Sequence, residues 1–128
     1  GDVLEHTKNP RCVLKFLADK AANDVQIVIS VPNVQHWYVF WSLALGRWPK
    51  KERGIFDKTH LRWFTKRSVF ELAHEAGLKV EAYNQVFRIS EAPGRLVNRV
   101  SPFCRYLPMK NFFTFQHIIK CRKQVFYG

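Results

Sequence analysis

Apolar and polar positions change period several times along the chain, and each change predicts an element. Asn9-Pro10 reads as a helix start: Asn caps the first turn, and Pro at the first helical position gives up no needed donor. Val13, Leu14, Leu17 and Ala21 then share one face, predicting a helix from about Pro10 to Ala22, with Asn23-Asp24 as a turn. Val25 to Val31 is β-branched and almost wholly apolar, the pattern of a central strand in a parallel sheet covered on both faces, and Pro32-Asn33 stops it. His36 to Leu45 holds Trp37, Tyr38, Phe40 and Trp41 and fits a short helix. Gly46 to Trp63 is irregular, broken by Gly46, Pro49 and Gly54, and a connection of that length is either functional or flexible.

Thr65 caps a second predicted helix, Lys66 to Ala76, with Val69, Leu72, Ala73 and Ala76 on its apolar face and Gly77 after its end. Leu78, Val80 and Ala82 alternate with Lys79 and Glu81 as in a half-buried strand. Ser90 to Pro108 reads as a loop with a short helical piece, and Phe113 to Lys123 alternates again as a last strand. A strand covered on both faces needs neighbours. Two further strands are too few, so the pattern describes part of a larger sheet.

Composition narrows the classes. The 128 residues, 47% hydrophobic and 15% aromatic, exclude a disordered tail and suit one domain over 1–128. No apolar run reaches the roughly 18 residues of a membrane span, and the first residues lack a signal-peptide pattern. Cys12, Cys104 and Cys121 are widely separated and form neither a metal-type pair nor a disulfide framework, so a cytoplasmic setting is expected. The net charge of +11 points to nucleic acid, anionic lipid or an acidic substrate, or else to a solvated basic face or the basic half of a larger protein. The densest cluster is Arg47, Lys50, Lys51 and Arg53.

Three stretches carry a resemblance when taken in order. They are Asp2-Val3-Leu4-Glu5-His6 with Asn9-Pro10, then Val28-Ile29-Ser30-Val31-Pro32-Asn33 with His36, then Gly54 to Thr65 (including Asp57-Lys58-Thr59-His60-Leu61-Arg62) followed by Glu75-Ala76-Gly77-Leu78. Together they resemble the second half of class I S-adenosylmethionine-dependent methyltransferases, notably those of bacterial small-molecule and cell-surface polysaccharide pathways. The resemblance implies an α/β, partial Rossmann-like fold: a three-stranded mixed sheet of family strands five, seven and six in that order, with flanking helices. The first four strands and the glycine-rich loop are absent from it. Glycine stands only at positions 1, 46, 54, 77, 94 and 128, so no Gly-x-Gly exists to approach a cofactor closely. Ala22-Asn23-Asp24 replaces the family's usual Gly-Gly before the fifth strand.

By the same resemblance, Asp2, Leu4 and Glu5 border S-adenosylmethionine, His6 is the candidate catalytic base, and Asn33, His36 and His60 lie toward substrate. Imidazole suits proton abstraction near neutral pH. Each residue also has a plainer reading. Glu5 can cap or orient a helix start, His6 can merely line the pocket, His36 can be a polar residue at a helix start, and His60 and Arg62 can order their loop. Asp2, Glu5, His6 and His60 are also similar to the metal-binding Glu-x-x-Glu-His and later His of some methyltransferases, although Asp2 is shorter than Glu. The Trp37–Trp41 stretch, with Trp48 and Trp63, is a substrate lid, a membrane contact, core, or an interface with the missing half.

The expected function is therefore methyl transfer from S-adenosylmethionine to a hydroxyl of a small-molecule, sugar or lipid-linked acceptor. The cofactor would be completed by a missing N-terminal half of the domain, and this stretch alone would be inactive. The rival is a non-catalytic basic module for nucleic acid or anionic lipid, with Arg47, Lys50, Lys51, Arg53, Arg62, Lys66 and Arg67 in one patch.

Overall fold

A computed structural model describes residues 3–90, 94 and 96–124. A 3-10 turn at Leu4–His6 leads into helix α1, Pro10–Lys20. The Asn9 side chain accepts from the Cys12 N–H at 3.1 Å, so the predicted cap is in place. The stripe that α1 buries is Leu14 and Ala18; Leu17, expected inside, is 46% exposed because the buried line runs one residue to the side of it. Helix α2 is Trp37–Ala44 and helix α3 is Lys66–Glu75. Thr65 and Ser68 form a reciprocal capping box at the start of α3, and Gly77 (φ 75°) follows its end.

Strands β1 (Gln26–Pro32), β2 (Leu78–Phe87) and β3 (Thr114–Lys123) form one sheet in the order β1-β3-β2. The last strand in sequence is central and antiparallel to both neighbours, so β1 and β2 run parallel to each other. Ile29 pairs with Ile119 and Val31 with His117 on one side; Tyr83 pairs with Ile119 and Gln85 with His117 on the other. This is the order expected of strands five, seven and six. The central parallel setting expected for β1 is not met among the described residues. Its hydrogen-bonded neighbour there is the antiparallel β3, and Val28 is 59% exposed because nothing described covers that face. Strand β2 runs five residues beyond the predicted Ala82. A register shift between Val80 and Ala82 breaks the alternation, so the period-2 signal stops where the strand does not.

The main core joins Leu4, Leu14 and Ala18 to Ile29 and Val31, and to Val69, Ala73 and Leu78 of the α3–β2 unit, with Ile119 and Cys121 of β3 at its centre. A second cluster joins Val39 of α2 to Ile55, Phe56 and Phe115. Segment 96–112 is three short 3-10 turns, Leu96–Arg99, Ser101–Tyr106 and Lys110–Phe112.

Strand β3 also buries His117 completely. The Tyr83 hydroxyl lies 2.9 Å from its Nδ1, while Nε2 has no partner among the described residues. Burial, helped by the Lys66 charge, pushes its pKa down to about 4. An unfolded chain, titrating near 6.5, takes up a proton in that interval that the folded chain refuses. Stability is expected to be full above pH 6.5 and to fall toward pH 4, by at most about 1.4 kcal/mol per pH unit. Urea midpoints at pH 7 and pH 5 check this. His117→Leu should flatten the difference, and an unchanged pH dependence in that variant would refute the assignment.

Candidate functional site

The loop between α2 and α3 reaches the N-terminal turn because two of its residues are driven inward. Ile55 and Phe56 are buried, and the Phe56 ring meets Trp48 at 4.8 Å and Tyr38 at 5.5 Å. Loop backbone bonds tighten the turn: Asp57 N–H donates to Gly54 O at 3.1 Å and His60 N–H to Asp57 O at 3.1 Å. The following residues are clamped to the 3-10 turn, where Glu5 O accepts from Leu61 N–H (2.7 Å) and Arg62 N–H (3.1 Å). The Arg62 guanidinium donates to Lys8 O at 2.7 Å.

This clamp brings Glu5, His6 and His60 together, with one ligating atom from each within 4.8 Å of the others. The two imidazoles meet edge-on, 4.8 Å apart. They border an open cavity of about 350 Å³, also lined by Pro32, Arg53, Gly54, Asp57, Arg88, Phe115 and Gln116.

The proton positions follow from the partners. Thr59 Oγ1 donates to Asp57 Oδ1 at 2.6 Å, and Thr59 N–H donates to the same oxygen at 2.8 Å. Its proton committed, Thr59 Oγ1 can only accept from His6 Nδ1, 3.0 Å away, and Thr59 O lies 3.2 Å from that nitrogen. His6 therefore carries its proton on Nδ1 and keeps a lone pair on Nε2. His60 Nδ1 faces Ile55 O at 3.2 Å, which imposes the same tautomer. The Thr59 hydroxyl and amide, as donors, hold the Asp57 carboxyl below its ordinary 3.8. Asp57 thus stays ionised at neutral pH and keeps the Thr59 hydroxyl locked.

The other sequence-predicted residues are placed differently. Leu4 sits in the main core and lines a separate, apolar pocket of about 160 Å³ with α1 and β1 residues. Asn33 is buried; its Nδ2 donates to Asn111 O (2.8 Å) and Thr114 O (2.7 Å), and its Oδ1 accepts from Gln35 N–H. His36 is buried at the start of α2, where Nδ1 accepts from Tyr38 N–H and Nε2 donates to Arg88 O at 2.7 Å. Asn33 and His36 thus brace the cavity wall and do not line it. Asp2 lies outside the described residues. Asp57 and Thr59 were missed as site residues. Their signal was present in Asp57-x-Thr59, the spacing at which an Asp side chain bonds the backbone two residues on. Cys104 and Cys121 are buried, and burial raises both thiols, Cys121 to about 11, which removes them as nucleophiles near neutral pH.

A family model described as a methyltransferase domain matches residues 2–83, more than half of the chain. The chain belongs to the methyltransferase domain family. The match spans the N-terminal turn, the 54–63 loop and α3, so Glu5, His6, Asp57, Thr59 and His60 all lie within it. Strand β3 and the 3-10 turns before it lie outside. No curated protein matches the chain. Among the described residues, no helix is long and apolar enough to cross a membrane. Of the cations of the rival basic patch, Arg67 pairs with Glu71, Lys51 lies over Tyr38, Lys66 lies over Tyr83, and Arg53 lines the cavity.

Proposed function

We propose that this methyltransferase domain forms the acceptor side of an S-adenosylmethionine-dependent O-methylation site, with His6 as the general base. The observation that supports it most is the convergence of Glu5, His6 and His60 on one open cavity, with the His6 proton held on Nδ1. Methyltransferase domains generally draw their methyl group from S-adenosylmethionine, which supplies an electrophilic methyl on sulfonium. This chain's residues fit that donor only in part, since no Gly-x-Gly is present to receive its adenosyl end. Glu5 would border the donor from the turn, and the remaining contacts would come from a preceding half of the domain. The outer edge of β1, which pairs with no strand among the described residues, is where that half would continue the sheet.

His6 Nε2 would take the proton from the acceptor hydroxyl; bound S-adenosylmethionine would supply the methyl group to that oxygen, its sulfur–methyl bond breaking to leave S-adenosylhomocysteine. The Asp57–Thr59 pair holds the ring in orientation. Positioning supplies much of the remaining rate, because the in-line geometry must be set before transfer. Arg53 and Arg88 on the wall, the latter stacked 4.8 Å over Phe115, favour an acceptor with an acidic group, such as an acidic sugar or a phosphate-bearing lipid-linked substrate.

The same groups fit a divalent ion. Glu5 offers a carboxylate, and His6 and His60 offer Nε2 lone pairs with Nδ1–H anchored on backbone oxygens. A bound ion would act as a Lewis acid toward the hydroxyl. Titration with Mn²⁺ or Zn²⁺ separates the two uses: binding lost in His60→Ala supports the ion, and no binding leaves His6 as a free base.

Calorimetric titration of S-adenosylmethionine into this chain, and into a form extended upstream through its natural reading frame, tests the main reading. Binding by the extended form alone is expected. Binding by neither would overturn methyl transfer, and equal binding by both would overturn the two-part cofactor site.

A further inference from the structure

We infer that α2 and the 3-10 turns of segment 96–112 form a docking surface for an anionic lipid bilayer. The inference does not depend on methyl transfer, and none of its residues lines the cavity.

The first observation is apolar exposure. Phe40, Trp41 and Leu45 on and just after α2, and Phe103, Tyr106 and Met109 in the turns, are each half or more exposed. Soluble surfaces seldom carry so many large apolar side chains together without a partner. The second observation is that the two segments are joined. The Phe40 ring lies 5.4 Å from that of Phe112, and Trp37 Nε1 donates to Ile89 O at 2.9 Å beside the His36–Arg88 bond. The aromatic helix and the turns are therefore fastened side by side.

The third observation is charge. From Val25 to Lys51, and from Ala92 to Gly128, the sequence contains no Asp or Glu. Arg47 and Lys50 follow α2, and Arg99, Arg105 and Lys110 punctuate the turns. The ion pairs among the described residues lie on other segments. Aromatic rings settle at the headgroup level of a bilayer, aliphatic side chains reach the acyl boundary, and each basic residue near an anionic surface adds attraction. Nucleic acid would complement the cations and rings, but it gives no apolar environment to Leu45 and Met109. With eight residues and no charge, α2 suits lying in the interface and is far too short to span it.

The test is flotation of the protein with neutral phosphatidylcholine vesicles and with vesicles that also carry about a third phosphatidylglycerol. Binding is expected to the anionic vesicles and to weaken as salt rises. The double change Arg99→Glu with Arg105→Glu should reduce partitioning by about thirtyfold or more, taking roughly fivefold per lost cation near the surface. Trp41→Ser with Phe103→Ser should abolish it. Both pairs are at exposed positions, and circular dichroism verifies that the fold survives.

Equal binding to neutral and anionic vesicles, or full binding by either double variant, would overturn the inference. So would a self-associated state that the Trp41→Ser/Phe103→Ser change dissolves in a protein that ignores vesicles. Tight binding to a single-stranded oligonucleotide without vesicle binding would also overturn it.

Discussion

His6→Ala is expected to lower the rate of methyl transfer by about 10²–10⁴-fold, the range for loss of a positioned general base. One proton decides which ring nitrogen is basic. Thr59 Oγ1 has given its hydrogen to Asp57 Oδ1 and can only accept from His6 Nδ1, so the ring's basic nitrogen is Nε2. Alanine removes that nitrogen and leaves the Glu5 backbone clamp on Leu61 and Arg62 untouched, so the cavity keeps its shape. Thr59→Val should cost less, about tenfold, because the Thr59 carbonyl remains as a partner for Nδ1. The two losses should not add, since valine at position 59 acts only through the ring that alanine at position 6 deletes. Release of S-adenosylhomocysteine by the donor-binding form of the protein, with hydroxyl acceptors, is the measurement. A His6→Ala protein with undiminished turnover would remove the base from the mechanism. Independent, additive losses would show that Thr59 serves something other than the ring.

Phe56→Ala is expected to destabilise the protein by about 3–5 kcal/mol, a large share of the roughly 5–15 kcal/mol that folded domains possess. Phe56 is 2% exposed, sits between the Trp48 and Tyr38 rings, and follows Ile55, which is fully buried. Deleting the ring leaves a void that backbone bonds around residues 51–60 cannot close. The effect should extend to the site, because the Ile55 carbonyl is what holds His60 Nδ1. Denaturant unfolding gives the first quantity. Loss of metal binding or of turnover in protein still folded at low temperature gives the second. A cost below about 1 kcal/mol would mean that the loop is held by its hydrogen bonds instead of by its apolar pins.

Much of the fold was legible because local chemistry specified it. Asn9-Pro10, Thr65 and Gly77 marked helix ends, and the alternation from Phe115 to Cys121 marked the buried face of β3. What was not legible depended on neighbours. Leu17 lies on the apolar side of α1 by spacing alone, but only packing decides whether Leu14 or Leu17 points at the sheet. The continuation of β2 past Ala82 depends on its pairing with β3, which no window around residue 82 contains. The site shows the same division. Glu5, His6 and His60 could be singled out through the family resemblance. The capture of Asn33 and His36 by backbone groups near residues 88 and 111–114 could not, because those partners lie more than 50 residues away. Asp57 and Thr59 were within reach of a turn rule, but their bearing on His6 required the fold.

The strand order has a consequence for how the protein is made. Gln26 finds its partner in Arg122, and Leu78 finds its partner in Lys123, so among the described residues both outer strands pair with the one that follows them in the chain. Until that strand emerges, β1 and β2 lack the neighbour that joins them, and α1 and α3 have no finished sheet to lie upon. Joining β1 to β2 must await β3 and then close long loops at once, an order of events that is slow and leaves strand edges exposed in the meantime. Loss of β3 alone would part the other two strands and so cost the whole described sheet, not its margin.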